Sequence, residues 1–375
     1  MTELLFIIDY IDTAHGGTEG QLLMLLRGLD PGRYRVHLAC LQDTPWLREL
    51  RLEPPPLLLG LTRLASLDGV RRMWRLRRYL RQHRIRLVQT YFDDAFVAGA
   101  LAGWLAGVPV VACRRNLGPA YWNNRRFART FRLLRHITAR YVANSQATRE
   151  AIARSEGIPP GRIEVIHNGV DPARMGRVTP ELRRERRAAL GLAEDELLVG
   201  MVAHVRPEKN VELFLEAAAR LHRSRPRTRF AVVGEIRPDD QARMDAFAAR
   251  AGLAGALLTP GLTSDVAGWL AAMDIACLTS DGESFSNAIL EYQAAGLPVV
   301  ASAVGGNVEA VEGTGFLFPR GDLEALVGHL ERLAGDPELR ASAGASGRRA
   351  AAERYDPARM VAAYEAVYRG ILGPG

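Results

Sequence analysis

A chain of 375 residues with 48% hydrophobic content can bury more than one core, and a formal charge of +7 points to an anionic partner. Its three cysteines, Cys40, Cys113 and Cys277, are far apart and form no CxxC pair, which excludes a disulfide framework and a structural zinc site and suits a reducing cytoplasm. Lys209 is the only lysine among 49 basic residues; every other one is arginine.

In chain order, "ELLFIID" has no basic segment or cleavage motif before it, so it reads as a strand and not as a secretory signal. It runs into "DTAHGGTEGQLLMLL", where Gly16 and Gly17 precede a Thr18-x-x-Gln21 capping box at a helix start. The apolar runs "YRVHLACL", "IRLVQTY", "VPVVAC", "ARYVANS" and "IEVIHNG" follow, alternating with helical patterns. The uncharged stretch 95–113 nears the length of a membrane span, but Gly107 and Pro109 break it into helix, turn and strand.

Two arginine-rich stretches, 71–86 and 125–140, interleave Trp74, Tyr79, Phe127 and Phe131 with cations. They suit either contact with an anionic lipid surface or a solvated helix face. No recognition motif accompanies the charge, so nucleic acid is not the expected partner.

Residues 171–190, polar and containing Pro172 and Pro180, read as a linker followed by a surface helix. Beyond them come "ELLVGMVAHV", "RFAVVGE", "ALLTPG", "DIACLTS", "LPVVAS" and "GFLF". Twelve strands overfill one ordinary sheet, so the expected fold is α/β, with two Rossmann-like, doubly wound parallel sheets. The expected domains are 1–170 and 171–355, with an amphipathic helix in 356–375 packing back on the first.

Chemistry gathers in the second half. Lys209 lies on a loop after a strand, beside Asn210, a natural N-cap for the helix "VELFLEAAARLHR". A cation at the carboxyl end of a parallel strand, next to the positive end of a helix, suits phosphate, although an ordinary exposed lysine has the same local sequence. Downstream, Ser286 and Asn287 open a second helix, with Glu283 before it and Glu291 inside it. Carboxylates beside an anion site make sense if sugar or ribose hydroxyls bind there; the plain reading of Glu291 is a solvated helix face. Gly305 and Gly306 follow another strand, where backbone without Cβ atoms can approach a ligand.

The motifs "GGTE", "IHNGVD", "VRPEKN" and "ESFSNAILEYQAAGLPVVAS", in this order and over nearly the whole chain, resemble the retaining GT-B glycosyltransferases of family four. The most specific element is a glutamate, seven residues and a second glutamate running on to "AAGLPVVAS". The resemblance implies two Rossmann-like domains facing across a cleft, with a nucleotide-sugar, by family habit a UDP-sugar, bound chiefly by the second. The sugar would pass with retention, without metal or cofactor, to a saccharide or lipid-linked acceptor of cell-surface polysaccharide or glycolipid synthesis. That places the enzyme in the cytoplasm, with peripheral contact at the inner face of the plasma membrane.

By the same resemblance Lys209 would hold the diphosphate, Glu283 the donor sugar and Glu291 the ribose hydroxyls. Backbone at Ser286 and Asn287, with Gly16 and Gly17, would complete the cradle. Two positions depart from the family pattern. His204 stands where an arginine is usual, with Arg206 nearby as a substitute. Arg114, Arg115 and Asn116 stand near the usual acceptor-side histidine and would serve an anionic acceptor or the leaving phosphate. Two other readings stay open: a non-hydrolysing sugar-nucleotide epimerase of like architecture, and a non-catalytic protein that binds anionic lipid.

Overall fold

The structure, a computed structural model, describes residues 1–13, 17–61, 66–117 and 125–373. The chain divides into two units, Met1–Gly169 with Pro357–Gly375, and Val170–Asp356. The first carries β1 (Thr2–Ile8), β2 (Tyr34–Cys40), β3 (Leu57–Leu58), β4 (Leu87–Tyr91), β5 (Val110–Arg114), β6 (Arg140–Ala143) and β7 (Ile163–Val165). They form one sheet in the order β3-β2-β1-β4-β5-β6-β7, and every pairing is parallel. The second carries β8 (Leu197–Val202), β9 (Thr228–Val233), β10 (Leu257–Gly261), β11 (Ile275–Leu278), β12 (Val299–Ser302) and β13 (Phe316–Phe318). Its order is β10-β9-β8-β11-β12-β13, again all parallel.

Strands covered by helices on both faces are mostly apolar, and Leu4 to Ile8 of β1 are all buried. The expected runs all form strands. The short edge strand β3 was not expected, because it sits in "EPPPLLLG", where the prolines argue against a ladder; it joins β2 only through Leu57 and Leu58.

Each sheet reverses its winding once, between β1 and β4 in the first unit and between β8 and β11 in the second. At such a point neighbouring crossovers leave in opposite directions, which opens a crevice at the carboxyl ends of the strands. The residues after β8 and β11 are therefore placed together by topology.

The helix Pro357–Leu372 belongs to the first unit, where Met360, Val361, Tyr364 and Tyr368 share a buried cluster with Leu4, Phe6 and Leu22. Tyr368 donates its hydroxyl to Gln89 Oε1 at 2.6 Å. The uncharged stretch resolves into the helix Asp93–Ala106, a left-handed Gly107 at φ 74° and β5. Among the described residues, no helix is long and apolar enough to cross a membrane.

The segment 171–190 holds the expected surface helix, but its start is not a plain linker. Its first turn, Pro172–Met175, buries Met175 in the core of the second unit. From its helix Pro180–Ala189, Arg183 and Arg187 both reach Asp274, at 2.6 and 3.0 Å. Two arginines on one carboxylate pin the helix to the end of the sheet.

Arg114 is likewise structural. Only 2% exposed, it donates to Glu156 Oε1 at 2.7 Å and Asp93 Oδ1 at 3.2 Å, with its guanidinium over the rings of Phe131 and Phe96. Glu156 is fully buried, so removing its partner strands a charge. We predict that Arg114→Met costs about 3–5 kcal/mol in denaturant unfolding of the first unit, and that adding Glu156→Leu recovers most of it.

Candidate active site

After β8 the chain makes one tight helical turn, Pro207–Lys209, and Asn210 follows in the left-handed region at φ 46°. Asparagine tolerates that conformation, and its Oδ1 accepts the Leu213 N–H at 3.2 Å, so it caps the helix Val211–Ser224. The loop after β11 is laced to this turn. Thr279 Oγ1 lies 3.1 Å from the Lys209 carbonyl and 2.9 Å from that of Asn210. Asp281 N–H donates to the Glu208 carbonyl at 2.8 Å, and Asn210 Nδ2 to Asp281 Oδ1 at 3.2 Å.

These contacts bring Lys209 to Glu283. Nζ lies 2.5 Å from Oε1, and the same oxygen accepts the Ser280 hydroxyl at 2.7 Å. The lysine side chain is 22% exposed and the glutamate 11%, so the pair is held at the mouth of the crevice and not in bulk water.

Ser286 then caps the helix Asn287–Ala295 without a side-chain hydrogen bond to the first turn. Asn210 fills that role for the other helix. The 287–295 end is therefore the better placed of the two to offer backbone N–H groups and its dipole to an anion.

Gly305 and Gly306 serve this loop differently from the sequence expectation. A Cβ on Gly305, at φ 47°, would lie 1.8 Å from the Glu283 carbonyl oxygen, and one on Gly306 2.1 Å from that of Ser284. Gly306 also donates its N–H to the Glu283 carbonyl at 3.1 Å. The missing Cβ atoms thus admit the 283–284 backbone and fix the carboxylate from behind.

His204 is half exposed, and its Nδ1 accepts the Glu235 N–H at 3.2 Å, which leaves the ring proton on Nε2. Burial, then Arg206, hold its pKa below the ordinary histidine value, so near neutral pH it offers a neutral donor and no charge. Arg206 is exposed.

Glu291 is no solvated helix residue. It is 20% exposed, and its Oε1 accepts Arg174 Nη1 at 2.7 Å. Arg174 was not picked out in the sequence, because it lies in the polar segment read as a linker.

In the first unit Gly16 lies outside the described residues, and Gly17 is the exposed first residue of the helix Gly17–Gly28. The capping box does not form. Thr18 lies inside the helix, and Gln21 exchanges both amide hydrogen bonds with Gly169, at 2.7 and 2.9 Å. Arg115 donates to Asn168 Oδ1 at 2.5 Å. Arg115, Asn116, Thr18 and Phe92 help line a hollow of about 40 Å³ that includes the inward-turned Arg114.

Two residues at this switch point escaped the sequence reading. Burial pushes the Asp9 carboxyl up to about 7, although it accepts the Ala95 N–H at 2.7 Å, and Asp94 and Asp93 add to the rise. Phe92 takes φ 66° and ψ 174°, a strained backbone for any side chain, and stacks on Tyr10 with centroids 5.5 Å apart. For Asp9 the signal was available: it is the acid that ends the first strand.

Residues 15–174 match the family model described as Glycosyltransferase Family 4, and residues 183–350 the one described as Glycosyl transferases group 1. D-inositol 3-phosphate glycosyltransferase of Mycobacterium tuberculosis is 34% identical over 244 residues, covering 62% of this chain and 49% of the relative. The chain thus spans about half the length of the curated relatives it matches. HepE of Anabaena in complex with UDP superposes with a TM-score of 0.86 at 22% identity, covering 99% of this chain and 100% of that one. Sucrose-phosphate synthase of Thermosynechococcus elongatus does so at 0.82 and 19%, covering 99% of each. With both halves matched in order and two all-parallel units of this topology, the chain belongs to the GT-B glycosyltransferases of family four.

Proposed function

We propose that this protein transfers a glycosyl group from a UDP-sugar, with retention and without metal, to a saccharide or lipid-linked acceptor. The observation that carries the reading is the Lys209–Glu283 contact at the switch point of the second unit, beside the helix end at Ser286. HepE, which shares the fold, is known in complexes with UDP-glucose and with UDP and glucose.

As the bond from the anomeric carbon to the phosphate oxygen breaks, negative charge grows on the leaving diphosphate. An ammonium and aimed N–H groups stabilise that charge most where water is scarce. Lys209 supplies the first and the start of the 287–295 helix the second. Glu283, held by Lys209 and Ser280, presents its carboxylate to the sugar hydroxyls. The acceptor oxygen bonds to the same face of the anomeric carbon, and its proton passes to the departing phosphate oxygen. Glu291 accepts from the ribose. On the first unit Arg115, Asn116 and the strained Phe92 border the acceptor's place.

One helix of the first unit supports a lipid-linked acceptor and a peripheral location. Leu67–Gln82 exposes Leu67, Val70 and Trp74 along one stripe, at 84, 52 and 55%, between the exposed Arg71, Arg75, Arg78 and Arg81. Arg77 lies over the Trp74 ring at 4.9 Å and donates to the Leu105 carbonyl, next to Trp104, which is 60% exposed. Cations around an aromatic stripe suit the headgroup layer of an anionic bilayer, where a lipid-linked acceptor resides. Tyr79 turns inward to His37, and Phe131 of the second arginine-rich stretch is fully buried, so neither serves that surface; the side chain of Phe127 lies outside the described residues.

Lys209→Ala and Glu283→Ala should fold with an unchanged melting profile and lose about 100-fold or more in UDP-sugar turnover. Full turnover by either variant removes that residue from the mechanism, and turnover of donor alone to an isomeric sugar would mean epimerisation. Flotation should show binding to vesicles containing anionic lipid, weakened by salt and by Trp74→Ser. Equal behaviour on neutral vesicles rules out the membrane reading.

A further inference from the structure

We infer that Arg174 is a positioning residue for the donor's ribose, turning Glu291 so that one carboxylate oxygen is left to the ribose hydroxyls; this rests on the donor site proposed above. Glu291 lies on the second turn of the 287–295 helix, and side chains there lean back toward the helix start, where the diphosphate would bind. Four-fifths covered, its carboxylate has lost most of its hydration and needs a partner to stay ionised. Burial raises its pKa above the ordinary glutamate value, Arg174 opposes the rise, and Asp171 adds to it.

The guanidinium is delivered by a turn that has little freedom left. Asp171 Oδ1 accepts the N–H groups of Ala173 and Arg174, at 2.9 and 3.3 Å. Val170 N–H bonds the Tyr355 carbonyl at 2.9 Å, and Val170 and Met175 are both buried in the core of the second unit. The four-residue helix is therefore anchored at both ends, and Arg174 between them reaches Oε1 of Glu291 at 2.7 Å.

Among the described residues Oε2 of Glu291 has no hydrogen-bond partner, while Oε1 is committed to Arg174. A carboxylate held by one oxygen can point the other at a fixed place, which suits the vicinal hydroxyls of a ribose. Lysine would keep the charge but not hold it on a planar, pre-organised group.

Calorimetry with UDP and with 2′,3′-dideoxyuridine diphosphate, which lacks both ribose hydroxyls, tests this. Arg174→Gln should weaken UDP about 10-fold and leave the dideoxy nucleotide unchanged, with Arg174→Lys in between. In a Glu291→Gln background the change at 174 should add almost nothing, because contacting residues do not act additively. With UDP-sugar the donor KM should rise while kcat changes less. Equal loss for both nucleotides, or none for UDP, would overturn the positioning role, and the dideoxy nucleotide confirms that each variant is folded. If the parent protein bound no UDP at all, the donor reading itself would fall, and this role with it.

Discussion

The 2.5 Å contact between the Lys209 ammonium and the Glu283 carboxylate depends on most of the second unit. It requires β8 and β11 to be neighbours, which is where that sheet reverses its winding. The two loops must also be bound to each other, through Thr279, Asp281 and Asn210, and Glu283 must be supported from behind by a backbone that only glycine admits at 305 and 306. An ion pair only partly exposed is weak evidence of stability, since desolvation offsets much of the attraction. The expense makes sense for a charge held ready: an ammonium is a point donor that can move from one carboxylate oxygen to a more negative diphosphate. An arginine fork would bind the carboxylate in two places and release it less readily.

The two units, each taken by itself, arrange their switch points with opposite character. The second presents a cation, a helix start whose Ser286 makes no side-chain capping hydrogen bond, and two carboxylates that each already have a basic partner. The first holds Asp9, whose proton affinity is raised by burial first and by Asp94 and Asp93 after it, beside a strained Phe92. Charge neutralisation of the kind found in the second unit suits a diphosphate.

Much of the fold was legible in the sequence because parallel strands buried on both faces are written as nearly continuous apolar runs. β3 was missed because two residues beside three prolines leave no such run. The capping box failed for another reason: Gln21 is local in sequence, but its hydrogen bonds go to Gly169, and no local pattern reports a partner that distant. Arg114 and Arg174 illustrate the same limit. One ends an apolar strand and the other lies in a polar segment, and only the folded chain reveals that the first supports a buried glutamate and the second a carboxylate of the candidate site. Glycines 305 and 306 were legible as a close approach of backbone, but what approaches is the chain itself.

The most direct test of the central claim is a crystal structure of the protein with UDP. The account predicts the diphosphate at the carboxyl ends of β8 and β11, with its oxygens in hydrogen-bond reach of Lys209 Nζ and of the backbone at Ser286 and Asn287. A diphosphate bound elsewhere, with Lys209 still on Glu283, would contradict it.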